Sequence, residues 1–136
     1  VFNRVIFHAP LPGRLRPTLV ILIAPPSVGF LSWLTLNGGV LDAPAQMLLN
    51  LGYFFTALVA LQVPALARLP FALSFWALSF PFAAITTASF RYAALTGSDA
   101  HRLLGYALLA GLVLTIAGLL LRTARAALAG EICQPE

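Results

Sequence analysis

Four long uncharged stretches divide the chain: Pro17 to Leu41, Ala43 to Ala67, Leu69 to Phe90, and Leu103 to Leu121. Each meets the requirement of about 20 apolar residues, at about 1.5 Å rise per residue, to cross a hydrocarbon core of about 30 Å. The pattern predicts an all-α membrane protein with four transmembrane helices, at about 17–38, 43–66, 70–93 and 101–125, forming one transmembrane domain over residues 1–136. The connections carry the matching punctuation. Arg14, Arg16 and Pro17 lead into the first span, and proline suits an opening turn because its missing N–H would be unpaired there anyway. Asn37-Gly38-Gly39 closes that span, Asp42-Ala43-Pro44 opens the second, and Pro70 opens the third directly after Arg68. Gly97-Ser98-Asp99 separates the third from the fourth, where Ser98 or Asp99 is the expected N-cap. Connections this short imply two antiparallel helical hairpins.

Composition removes the soluble alternative. Of 136 residues, 60% are hydrophobic and 9% charged, with a mean hydropathy of +0.94, whereas a soluble domain has roughly a quarter of its residues charged. The charge is arginine against few acids: eight Lys+Arg, all arginine, against Asp42, Asp99, Glu131 and Glu136, a formal net charge of +4. These arginines flank apolar runs and form no basic patch with interleaved aromatics, which argues against nucleic acid. Arg4, Arg14, Arg16, Arg68, Arg122 and Arg125 fall on one side of the predicted bundle, Arg91 and Arg102 on the other. The positive-inside rule then puts both termini in the cytoplasm, and a bacterial inner membrane is the expected location. Cys133 is the single cysteine, so no intrachain disulfide forms. The first stretch is too long for a removable signal peptide and lacks a small-residue cleavage pattern. An opening on Val1, midway through an amphipathic-looking segment, points to a piece of a longer protein.

No span interior holds Asp, Glu, Lys, Arg or His, the usual marks of proton relays and coupled carriers. Prolines do occur there: Pro25 and Pro26 in the first span and Pro81 in the third, each deleting a backbone hydrogen bond. Pro64 lies only near the end of the second span and the fourth has none, so alternate helices differ in kind. Projected at 3.6 residues per turn, the third span carries Phe71, Ser74, Leu78, Pro81, Ile85, Ser89 and Tyr92 on one face, with Thr86 and Thr87 beside it. That face suits a narrow path; the plainer role for its hydroxyls is bonding to backbone and close helix packing. Gly111, Thr115 and Gly118 form a small-residue strip assigned to packing, and the second span, with Tyr53, Phe54 and Phe55, reads as a lipid-facing or packing helix.

His8 and His101 fall on opposite sides of the predicted membrane and cannot share one haem or metal; His101, beside Asp99 and Arg102, reads as a solvated loop residue. There is no i, i+4 histidine pair, carboxylate pair, nucleophile elbow or glycine-rich phosphate loop. An enzyme is not expected, nor a cofactor or a metal.

The segment Ile23-Ala24-Pro25-Pro26-Ser27-Val28-Gly29-Phe30, followed by Leu36-Asn37-Gly38-Gly39, resembles the seventh helix of the tellurite-resistance and C4-dicarboxylate transporter (TehA) family. Leu69-Pro70-Phe71-Ala72-Leu73-Ser74-Phe75-Trp76-Ala77-Leu78-Ser79-Phe80-Pro81 resembles its ninth, also found in plant slow-type anion channels, fungal malate permeases and sulfite exporters. The likeness continues through Arg91-Tyr92, so the chain resembles the C-terminal four of ten helices. It implies a homotrimer in which each subunit has its own pore of five hairpins around a quasi-fivefold axis. Odd-numbered, proline-kinked helices form the inner ring, in accord with the alternation above. It also implies that Phe71 is a phenylalanine gate plugging the pore; from its position alone Phe71 is an interfacial aromatic anchor.

The expected function is transmembrane transport of small anions. Pro25, Pro26, Ser74, Leu78, Pro81 and Ile85 are the pore-lining candidates, and Arg14, Arg16, Arg68 and Arg122 steer anions at the mouths. The arginines also serve as interfacial anchors. Chloride, nitrate, malate, sulfite and a tellurium oxyanion all remain open as cargo, as do channel and carrier modes. Four helices supply only two of five hairpins, and the rival reading is a small accessory or structural membrane protein without its own pore.

Overall fold

The computed structural model describes residues 20–64 and 73–129, which hold helices and no strand. Four α-helices follow in order: α1 (Ala24–Leu36), α2 (Ala43–Ala60), α3 (Ser79–Thr96) and α4 (Asp99–Leu128). Of these, α2 and α4 are long and apolar enough to cross a bilayer. The 30 residues of α4 span about 45 Å at 1.5 Å each.

Prolines decide where the α-helices begin. Residues 20–23 form a 3₁₀ turn before Pro25 and Pro26, and Leu73–Leu78 is a 3₁₀ segment before Pro81. Without an N–H, Pro81 cannot donate to the Ala77 carbonyl, and its ring crowds that carbonyl, so the preceding chain takes the tighter winding. Within the described residues, the expected proline-bent spans at 17–38 and 70–93 each run as a 3₁₀ start followed by an α-helix. The prolines occupy the first turn of α1 and of α3 and do not kink a continuous helix at its middle.

The turn between α1 and α2 follows its sequence signals. Gly38 and Gly39 take φ of +63° and +84°, and the Gly39 N–H closes on the Leu34 carbonyl at 2.7 Å, ending α1 in a left-handed cap. Asp42 caps α2: its carboxylate accepts from the Ala45 N–H at 3.0 Å, from Trp33 Nε1 at 2.9 and 3.0 Å, and from Asn37 Nδ2 at 3.0 Å. The Ala45 hydrogen bond, foremost among these, holds the Asp42 carboxyl below its ordinary value of 3.8. Between α3 and α4, Gly97 ends one helix in the left-handed region and Ser98 caps the next.

α1 packs on both α2 and α3, and α3 packs on α4. The core is Val20, Ile23, Phe30 and Leu34 from the α1 segment, Ala45, Leu49 and Val59 from α2 and its C-terminal end, and Ile85 and Ala88 from α3. α4 buries only Gly105, Leu112 and Leu119 and leaves Leu103, Val113, Leu114, Leu120 and Leu121 exposed, the distribution expected of a helix bathed in lipid.

Candidate functional site

The helix that carries Pro81 and Ile85, α3, is wedged between three neighbours. On one side of α3, Ser89 accepts from the Tyr53 hydroxyl at 2.9 Å and donates to the Ile85 carbonyl at 2.8 Å. One turn away Ile85 meets α2 so closely that a Cβ on Gly52 would lie 3.0 Å from its Cδ1 and 3.0 Å from Ser27 Oγ. A second side faces α4: Phe90 covers Gly105, where a Cβ would come within 2.9 Å of the ring, and stacks edge-on with Tyr106 at 5.1 Å. At the other end of α4, Trp76 Nε1 donates to Thr123 Oγ1 at 3.1 Å, joining the 3₁₀ segment to that helix.

One strip of α3 is left free. Phe80, Thr87, Arg91 and Ala94 are exposed, with Ala83 half-buried between them, at the three- and four-residue spacing of one helix face. Thr87 lies two residues from both Ile85 and Ser89, about 200° around the helix, so the strip points away from α2. α1 has a comparable free strip, Ile21, Pro25, Val28, Ser32 and Thr35, opposite its buried Ile23, Ser27, Phe30 and Leu34.

The expected pore-lining residues divide accordingly. Pro25 is exposed on the free strip of α1, while Pro26 is buried. Pro81 and Ile85 are fully enclosed by neighbouring helices, Leu78 packs against the core cluster, and Ser74 is half-buried. The winding accounts for this. Six 3₁₀ residues at about 120° each, against about 100° in an α-helix, advance the chain by about 120° more than the α projection allows. Ser74 therefore leaves the face of Pro81 and Ile85, and residues three apart share a side: Phe75, 6% exposed, and Leu78 both turn inward.

Phe71, Arg14, Arg16 and Arg68 lie outside the described residues, as does His8. Arg122 is exposed near the C-terminal end of α4, next to Thr123. His101 differs from the solvated loop residue expected of it. It sits in the first turn of α4, half-buried, with its ring 4.3 Å from Tyr92 and 6.1 Å from Tyr53, and Nδ1 is 2.9 Å from Ser98 Oγ. Gly111 and Gly118, expected to pack, have nothing within 4 Å of an added Cβ, so the close approach on α4 falls at Gly105. Gly52 and Tyr53 were hidden in an unremarkable apolar helix; the one signal was a small residue beside a hydroxyl-bearing aromatic.

Several other span hydroxyls bond within their own helix. Ser27, Thr56, Thr86, Thr87 and Thr115 each donate to the carbonyl four residues earlier, at 2.7 to 2.9 Å. Among the described residues no cluster of three His, Cys, Asp or Glu could hold a metal. The free strips thus offer apolar surface, a few hydroxyl oxygens and one guanidinium.

The sequence profile of the family SLAC1, voltage-dependent anion channel, matches residues 1–124. Over 123 residues the chain is 26% identical to the S-type anion channel SLAH3 of Arabidopsis thaliana, covering 90% of this chain and 19% of the relative. It thus spans about a fifth of that relative's length. No solved structure matches the chain.

Proposed function

The chain belongs to the SLAC1 family of voltage-dependent anion channels, and from that premise we propose that it supplies four membrane spans, as two hairpins, to the wall of a path for small anions. The family is one of membrane channels and not of enzymes. The observation that carries the reading is the free strip of α3: it opposes the face packed on α2 and holds Phe80, Thr87 and Arg91 but no carboxylate. A path that passes anions by width and positive potential needs that kind of lining. Pro25, Val28 and Ser32 of α1 line the same path, and Ser74 contributes from the 3₁₀ segment. Pro26, Leu78, Pro81 and Ile85 serve as the packing that sets its shape.

Phe71 is the proposed gate. Rotation of its ring about χ1 would open or close a narrow passage without any chemistry. Arg14, Arg16, Arg68 and Arg122 raise the anion concentration at the cytoplasmic mouth, and the full-length protein assembles as a trimer in an inner membrane with cytoplasmic termini. Chloride, nitrate and small carboxylates such as malate are the proposed cargo.

Anion flux in liposomes containing the full-length protein tests this. Phe71→Ala is expected to raise flux by at least about tenfold, the factor that follows from removing a barrier of about 1.4 kcal/mol or more. Equal flux in both forms would return Phe71 to an interfacial anchor, and no anion flux in either would favour an accessory packing role.

A further inference from the structure

Arg91 is the one charged side chain on the free strip of α3, and its surroundings are unusual for an arginine so placed. It sits inside the helix, five residues before Thr96, hence about 7.5 Å from that helix end. The neighbouring arginine at the same end of the hairpin, Arg102, is paired with Asp99 one turn along α4. Arg91 makes no ion pair or hydrogen bond among the described residues. The described acids are Asp42, engaged by Trp33, Asn37 and the Ala45 N–H, and Asp99, engaged by Arg102. A guanidinium on a membrane helix is stable only where water, a counter-charge or an anion reaches it. One turn below stands Thr87, whose hydroxyl already donates to the Ala83 carbonyl, so among the described residues of this strip Arg91 is the donor left to meet an anion.

We propose that Arg91 is a specificity-determining residue of the anion path, holding small planar oxyanions at the Gly97 end of α3; this rests on the pore reading above. The guanidinium presents parallel N–H donors that match two coplanar oxygens, as in nitrate or a carboxylate, whereas chloride uses only its charge. Lysine at this position would keep the charge and lose the fork. A lipid phosphate shares the oxyanion chemistry, and membrane composition separates the two sources.

The test measures nitrate and chloride flux for the full-length protein, in liposomes of neutral lipid and of neutral lipid with anionic phosphatidylglycerol. Wild type is compared with Arg91→Lys, Arg91→Gln and Arg102→Gln. The expected results are a nitrate-to-chloride ratio lowered several-fold in Arg91→Lys with total flux kept within about twofold. Arg91→Gln should lose flux of both ions by about tenfold, the scale of one charge-assisted contact. Arg102→Gln should keep the wild-type ratio, and all effects should be the same in both membranes. An unchanged ratio in Arg91→Lys and Arg91→Gln, an equal change in Arg102→Gln, or effects confined to anionic membranes would overturn the assignment. Any of these alongside a Phe71→Ala increase would leave the pore reading standing, whereas absence of anion flux in wild type would remove both.

Discussion

Asp42 shows how one side chain can define the start of a membrane helix. It gathers the Ala45 N–H, the Trp33 indole and the Asn37 amide on a single carboxylate, so that the end of α1 and the start of α2 share one acceptor. Because its folded-state pKa lies below 3.8, the ionised form stabilises the fold above that pH, and the contribution disappears as pH falls through the depressed value. Thermal unfolding of the purified protein from pH 6 down to about pH 3 should therefore lose stability in wild type, and Asp42→Asn, which still caps, should lose less. At Gly52 the limit is steric. A methyl group there would meet Ile85 and Ser27 at 3.0 Å, and Ser27 is held by its bond to the Ile23 carbonyl at 2.7 Å. Gly52→Ala should cost about 1–3 kcal/mol of stability, read as a lowered midpoint in denaturant; an unchanged midpoint would mean that α1 and α3 can move apart at this point.

Among the elements, the 3₁₀ segment Leu73–Leu78 has the widest consequences. It exists because Pro81 supplies no N–H, and it turns Phe75 and Leu78 inward while Trp76 reaches Thr123. Pro81→Ala restores the donor and should let the segment relax toward α winding, rotating its N-terminal end by about 120°. The check is thiol labelling of Phe75→Cys: protected with Pro81 present, reactive once Pro81 is replaced. The same segment marks the boundary of what the amino-acid pattern alone discloses. The turn signals Asn37-Gly38-Gly39, Asp42 and Ser98 were readable because capping is decided by neighbours in the chain, and they fell where expected. Within α3 the projected face stays together, with Pro81, Ile85 and Ser89 all buried, whereas across Leu73–Leu78 the tighter winding takes Ser74 off that face. Which side of α3 meets α2 depended on Gly52 and Tyr53, and no periodicity in α3 could reveal a partner lying 36 residues away at Ser89.

At the scale of the molecule, the described helices bury one side of α1, α2 and α3 in a shared core and leave the outer surface of α4 apolar. The free strips of α1 and α3 differ from that surface, since they mix small, hydroxyl and aromatic residues with one arginine. In a member of an anion channel family, the task we propose for those strips is to line the anion path. The most direct test of that task is charge placed on either side of α3. In full-length protein with Cys133→Ser and any other native cysteines replaced, Thr87→Cys and Ser89→Cys would each be treated with a charged, membrane-impermeant thiol reagent while anion flux is recorded. Block of flux at Thr87→Cys with no effect at Ser89→Cys is the predicted result. Block at Ser89→Cys alone, or none at either position, would contradict a path along this strip.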